Sequence, residues 1–352
     1  MKIDAEKLQK IMDEATESGE ECGCQLAIFL NGKPVVSLFS GYTSAARDEK
    51  VTEQTLFPVF SCGKNVMATM VHRLVEQGIL DYDARIADYW PEFGCNGKED
   101  IRLWHVLTHR TGLHLLPKLD SPDDMADWDL MCRKMAAAKP VIPPGTKCNY
   151  QGVTHAWLVG EPVRRAAGKT MGELIREQIF KPLGIDSSFA FGTNAEQDRR
   201  LAKIDITRRP ESWCNERFKH PSYQHGFIPS ANGCANAFSL AKYVSAVVAE
   251  TDGIRLLKKE TLDNATILRR WENDPIPPGS WTKFGLGYAL LGEGDRLGFQ
   301  FGHGGALGSE GFADKETGFA MAFTKNMDQP THPVHPIRDR ISDALGLSHR
   351  IW

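Results

Sequence analysis

Apolar positions Leu8, Ile11, Met12 and Ala15 recur at helical spacing through residues 4–18, with Asp4 placed to cap the first turn. Two apolar runs follow, CQLAIFL and KPVVSLFSGY, separated by Asn31-Gly32. Asn-Gly between such runs predicts an antiparallel hairpin, because both residues tolerate the positive φ of a tight two-residue turn. A short extended lead-in, FPVF, then meets a helical pattern that starts near Ser61 and stops near Gly78. From there to about residue 200 the pattern is mainly helical: IRLWHVLTH, MADWDLMCRKMAAA, VTHAWLVGEPVRRAAG and MGELIREQIF, with Pro- and Gly-containing turns between them. Strand signals return in FGLGYALLG, FQFGHGG and GFAMAFTKN, and HPIRDRISDALG reads as a closing helix. Residues 196–232, rich in charge, Pro and aromatics, read as a long irregular loop.

Two early strands and several late ones make one antiparallel sheet with a helical block inserted between them. The expected class is α+β, without βαβ repeats. Residues 1–63 and 205–352 are expected to form the sheet-bearing subdomain and residues 64–204 the mainly helical one, with the active site between them.

The 352 residues are 41% hydrophobic and 25% charged, with a net charge of -3, an ordinary globular balance. Charges of both signs are mixed, and no basic block of the kind that binds nucleic acid occurs. No run approaches a membrane span. The charged N-terminal stretch lacks the apolar core of a signal peptide, so a cytoplasmic protein with its eight cysteines reduced is expected if this is the native start.

Several patterns carry candidate chemistry. Ser61-Cys62-Gly63-Lys64 puts a hydroxyl and an amine three residues apart, on one side of a helical turn, the arrangement by which a lysine activates a serine nucleophile. The same Ser61 also suits a helix cap. His105 and His109 share the spacing of a zinc-binding HExxH helix, but position 106 is Val and no third ligand suggests itself; structural roles are the better reading. His332 and His335 are a weaker pair still. Gly168-Lys169-Thr170 looks like the end of a phosphate loop, yet the required earlier glycine is Val163. No Gly-x-Ser-x-Gly elbow surrounds Ser309, since Leu307 precedes it by two. Trp128, with Asp120, Asp123, Asp124 and Asp127, reads as a solvated surface helix, with a lid over the site as the alternative. Tyr150 ends Pro143-Pro144-Gly145-Thr146-Lys147-Cys148-Asn149-Tyr150, and alone would fit a packing aromatic. Phe301-Gly302-His303-Gly304-Gly305-Ala306 puts glycines in a strand, where they permit a bulge, tight packing or close approach of a ligand.

Taken in order, Ser61-x-x-Lys64, Tyr150 and His303-Gly304-Gly305 resemble the three active-site elements of the serine β-lactamase and penicillin-binding-protein superfamily. Leu107-Thr108-His109-Arg110-Thr111-Gly112-Leu113 and Pro182-Leu183-Gly184-Ile185 are similar to two further segments of that family, so the resemblance spans nearly the whole chain. Tyrosine in the second element points to the class C branch and the esterases that share its fold. Gly152 stands where β-lactam-binding members carry Asn, and His303 and Gly304 where they carry Lys and Thr. In these departures the chain looks most like the family VIII carboxylesterases. The resemblance implies a β-lactamase-like fold. It also implies an acyl-enzyme on Ser61, proton transfer by Lys64 and Tyr150, and an oxyanion hole from the backbone N–H groups of Ser61 and Ala306. His303, Gly304, Gly305 and Gly152 would line the substrate site. A small ester or amide substrate is expected, with no cofactor, metal, nucleic acid or membrane partner. A β-lactamase or D-amino-acid peptidase, an acyltransferase and a catalytically inactive scaffold are the alternatives; the sequence does not speak to oligomeric state.

Overall fold

The computed structural model describes residues 3–212, 220–269, 283–329 and 336–347. Cys214, His332 and His335 lie outside them. Helix α1 (Ala5–Glu17) opens the chain, and the Asp4 side chain accepts from Lys7 N at 3.0 Å, as its capping position predicts. Strands β1 (Gly23–Leu30) and β2 (Lys33–Gly41) form the expected hairpin, with Asn31 and Gly32 at φ 48° and 82°. Next come β3 (Phe57–Phe60) and α2 (Gly63–Glu76), then α3 (Trp128–Ala137) and α4 (His155–Ala167). Strands β4 (Phe189–Phe191) and β5 (Gly233–Ala235) precede α5 (Ala237–Val248). The chain closes with β6 (Ala289–Leu291), β7 (Gln300–Gly304), β8 (Glu310–Asp314), β9 (Phe319–Lys325) and α6 (Pro336–Leu345).

Early and late strands do combine, in a six-stranded antiparallel sheet ordered β2-β1-β9-β8-β7-β6. Alternation along its central strands sets the layers. Leu26 and Ile28 of β1, with Met321 and Phe323 of β9, pack with Leu8 and Met12 of α1 and Ile337 and Ile341 of α6. Ala27 and Phe29, with Ala320 and Ala322, face the main core, which includes Leu240, Val244 and Val247 of α5. Gly311 of β8 fits beneath Leu240, whose Cγ would lie 2.9 Å from an added Cβ. Sheet and helical region share that core.

Three readings need correction. The expectation of a single sheet misses a second one, ordered β3-β5-β4; Pro58, lacking an N–H, is tolerated because β3 lies at its edge. Only Ala289–Leu291 of FGLGYALLG is strand, because Gly285 N turns back to Tyr288 O at 2.9 Å and Gly287 takes φ 84°. His105 and His109 do not share a helical face: that helix spans Leu103–Leu107, and His109 has left it at φ 58°. Within 196–232, the described residues include a short helix at Pro221–His225. Gly168 ends α4 at φ 66°, and the neighbouring Lys169 pairs with Glu177 at 2.7 Å. Trp128 turns inward, its Nε1 donating to the buried Glu161 at 2.9 Å, while Asp127 caps α3 through Leu130 N.

Candidate active site

The site gathers where β3 turns into α2. Phe60, the residue before Ser61, is held at φ 44°, a conformation that costs a bulky side chain about 1–3 kcal/mol. This kink places Ser61 half-exposed at the head of the helix, two residues before its first regular turn. Cys62 takes the cap position with no side-chain capping bond, so the Ser61 hydroxyl is not spent as a cap. The next residues go inward. Lys64 is 1% exposed, and its Nζ lies 3.1 Å from Ser61 Oγ, 2.7 Å from Gly152 O and 2.6 Å from Ser230 O.

Burial holds the Lys64 pKa well below its usual 10.5. A neutral amine has two N–H bonds and one lone pair, and these surroundings match it. In that form the two carbonyls would take the N–H bonds and leave the lone pair for the serine hydroxyl. An ammonium would also find three acceptors; burial shifts the balance toward the amine. Ser230 is a partner the sequence pattern missed, since a backbone carbonyl has no residue signature and the loop that carries it reads as irregular. Gly63 is what lets that loop approach: a Cβ there would stand 2.0 Å from Pro229 O. Gly63→Ala is therefore expected to destabilise the fold by about 1–3 kcal/mol and to weaken ester turnover, as the 229–230 carbonyls are forced away. Thermal unfolding beside a rate assay checks this; an unchanged melting temperature would contradict it.

Tyr150 reaches the same point from an irregular segment. Its ring centroid lies 4.8 Å from Lys64 Nζ, and the neighbouring Ser61 hydroxyl offsets part of the effect of burial on its phenol. Burial raises the phenol pKa well above its ordinary 10, so Tyr150 is a proton donor near neutral pH. The hydroxyl also lies 3.4 Å from His303 Nε2. His303 Nδ1 donates to Gly304 O at 2.7 Å, which leaves Nε2 as the acceptor. Burial depresses the His303 pKa to about 3, and Lys64 adds to the shift whenever it is protonated, so the imidazole is neutral.

The third wall is the end of β7. Gly305 packs against β3, where a Cβ would come 2.4 Å from Val59 O. With its amide turned to suit its neighbours, Asn65 donates to Gly302 O at 3.2 Å and accepts from His303 N at 3.0 Å. It thus ties the helix that follows Ser61 to this strand, a link only the fold discloses. The N–H groups of Ser61 and Ala306 have no protein acceptor among the described residues. Gly152, half-buried, presents open space: a Cβ there would meet only Tyr150 ring carbons, at 3.9 and 4.0 Å. The structure therefore brings Ser61, Lys64, Tyr150, Gly152, His303 and Gly304 together, with Gly305 against the strand that delivers Ser61. Chemically this is a serine beside a lysine whose burial favours the amine form and a protonated phenol.

A family model described as beta-lactamase matches residues 8–346. Over 335 residues, 86% of this chain and 77% of the relative, the chain is 33% identical to the esterase/beta-lactamase LipL of Mycobacterium tuberculosis. It is 27% identical over 213 residues to the esterase EstB of Burkholderia gladioli, covering 55% of this chain and 53% of that one. Among solved structures, a family VIII carboxylesterase superposes with a TM-score of 0.84 at 27% identity, covering 98% of both chains. A penicillin-binding protein homologue from Caulobacter crescentus gives 0.84 at 30% identity, again over 98% of each.

Proposed function

This chain belongs to the beta-lactamase family, and on that footing we propose that it is a serine hydrolase cleaving small carboxylic esters through an acyl-enzyme on Ser61. The observation that carries this is the position of Lys64 Nζ, 3.1 Å from Ser61 Oγ and fixed by the Gly152 and Ser230 carbonyls, from which an amine can turn its lone pair to the hydroxyl. A serine hydroxyl is a weak nucleophile until a base takes its proton. Lys64 takes it as Oγ bonds to the ester carbonyl carbon. The oxyanion that forms is met by Ser61 N–H and Ala306 N–H, each worth about 3–4 kcal/mol in such a role. As the C–O bond to the alcohol breaks, Tyr150 gives its proton to the leaving alkoxide and recovers one from the Lys64 ammonium. Water then repeats the sequence on the acyl-enzyme, with Lys64 again the base.

His303, Gly304, Gly305 and Gly152 line the substrate side in this reading. Where the β-lactam-binding members have Asn, Lys and Thr, this site offers Gly152, a neutral imidazole and Gly304. Polar recognition of an amide and a carboxylate is reduced accordingly, and the ester reading is favoured over the lactam one. The seam between residues 1–63 with 205–352 and residues 64–204 belongs to the same proposal. Ser61 and Ala306 come from one side and Lys64 and Tyr150 from the other, although β4 of the second side pairs with β5 of the first. No helix among the described residues is long and apolar enough to cross a membrane. A cytoplasmic location remains part of the proposal, and the buried free thiols of Cys22, Cys24, Cys62, Cys132 and Cys234 fit it.

Parallel assays of p-nitrophenyl butyrate and the cephalosporin nitrocefin test the reading. The ester is expected to be favoured in kcat/KM by about 10²-fold, the scale set by missing hydrogen-bond partners. Faster opening of nitrocefin would overturn it.

A further inference from the structure

Tyr150 lies in a stretch without helix or strand, yet in the mechanism proposed above its hydroxyl must stay beside Ser61. The residues around it show what holds it. Asn149 N donates to His109 O at 2.8 Å, and Gln151 meets His109 Nδ1 through its side-chain Oε1 at 3.1 Å and its backbone N at 3.3 Å, the tautomer setting which of the two is bonded, so the residues on both sides of Tyr150 are fastened to one histidine. The His109 ring also packs on Tyr150, with centroids 4.8 Å apart, and on Phe284 at 4.6 Å. Gln151, fully buried, reaches on to Thr111 Oγ1 at 2.6 Å, and Gly145 N donates to Arg110 O at 2.7 Å. His109 itself is 2% exposed and sits at φ 58° just past a helix end, the turn that directs its carbonyl and ring to the same segment.

We propose that His109 is a positioning residue for the reaction, clamping Tyr150 from both neighbouring peptide units so that its hydroxyl stays on Ser61. The proposal rests on the ester-hydrolase reading above, in which Tyr150 moves the leaving-group proton. His109 touches neither the nucleophile nor the substrate in this account; it acts through Tyr150 alone. The property required at Nδ1 is a polar atom that pairs with Gln151, at its side-chain oxygen or its peptide N–H. Asparagine ends its amide where Nδ1 stands and also tolerates a left-handed backbone, so it keeps the clamp without the ring. Phenylalanine keeps the ring and the backbone bond to Asn149 but loses the Nδ1 contact with Gln151.

The test is a double-mutant cycle on p-nitrophenyl butyrate turnover, with near-UV circular dichroism to confirm that each variant is folded. His109→Phe is expected to lower kcat by about 10²-fold, the cost of a misplaced reacting group, with KM nearly unchanged. His109→Asn is expected to stay within about fivefold of wild type; if His109→Phe is recovered unfolded, His109→Gln, whose amide ends one atom too far, takes its place with the same expected loss of about 10²-fold. In a Tyr150→Phe background, His109→Phe should add less than about a twofold loss, because a clamp has nothing left to position. Additive losses, or equal activity in the Asn and Phe variants, would overturn the proposal. Full activity of Tyr150→Phe alone would overturn it by removing the role of Tyr150. Loss on Ser61→Ala, measured beside these variants, shows separately whether the ester-hydrolase reading stands.

Discussion

Ser61→Ala is expected to lower p-nitrophenyl butyrate turnover by at least about 10⁴-fold while leaving the protein folded. The size follows from what the hydroxyl does: without Oγ no acyl-enzyme forms, and the remaining donors bind an ester without an attacking group. The fold should not suffer, because Ser61 is half-exposed, caps no helix and precedes the first regular turn of α2. Retention of more than about a tenth of the wild-type rate, a loss of barely one unit of log rate, would remove Ser61 from the mechanism.

Lys64→Met should cost about 10³-fold in kcat, the middle of the range for a positioned base, and should also change the pH profile. Burial depresses the folded-state pKa of Lys64 below its unfolded value of 10.5. Wild-type turnover should therefore rise as pH climbs through the depressed pKa, where the amine loses its proton, and level off above it. Stability has the same sign. Between the depressed pKa and 10.5 the unfolded chain binds a proton that the folded chain does not, so this group's contribution grows with rising pH and is smallest below the window. Lys64→Met should abolish both dependences, as measured by pH–rate curves and by chemical unfolding at several pH values. A methionine variant that kept the acidic limb of the rate profile would assign that limb, and the base, to another group.

What the sequence disclosed and what it hid divide along a physical line. Ser61 and Lys64 are legible because their spacing is local, and one turn of backbone nearly suffices to bring them together. Tyr150 and His303 are legible only as members of an ordered set of motifs; each alone is an ordinary aromatic or strand residue. The α+β class follows from the hairpin signal at Asn31-Gly32 and the late strands, which pair across the middle of one sheet. The second sheet escapes notice because β3, β4 and β5 are 4, 3 and 3 residues long, too short for alternation to register. The Ser230 carbonyl lies 166 positions from Lys64 and carries no side-chain information at all. Gly63, Asn65 and His109 hide for a related reason. Their identities matter through the backbone they admit or hold, and that backbone belongs to distant segments. At His105 and His109 the period of a helix misleads, because the helix stops at Leu107 before the second imidazole.

The central claim is a covalent one, that the ester's acyl group passes through Ser61 Oγ. Its most direct test is rapid acid quenching of the protein during turnover of p-nitrophenyl butyrate, followed by intact mass and peptide mapping, with Ser61→Ala carried through in parallel. The account predicts a transient gain of one butyryl group on the peptide containing Ser61, formed at least as fast as steady-state turnover and absent from the alanine variant. A butyryl group on any other residue at that rate, or nitrophenol release from Ser61→Ala at the wild-type rate, would contradict it.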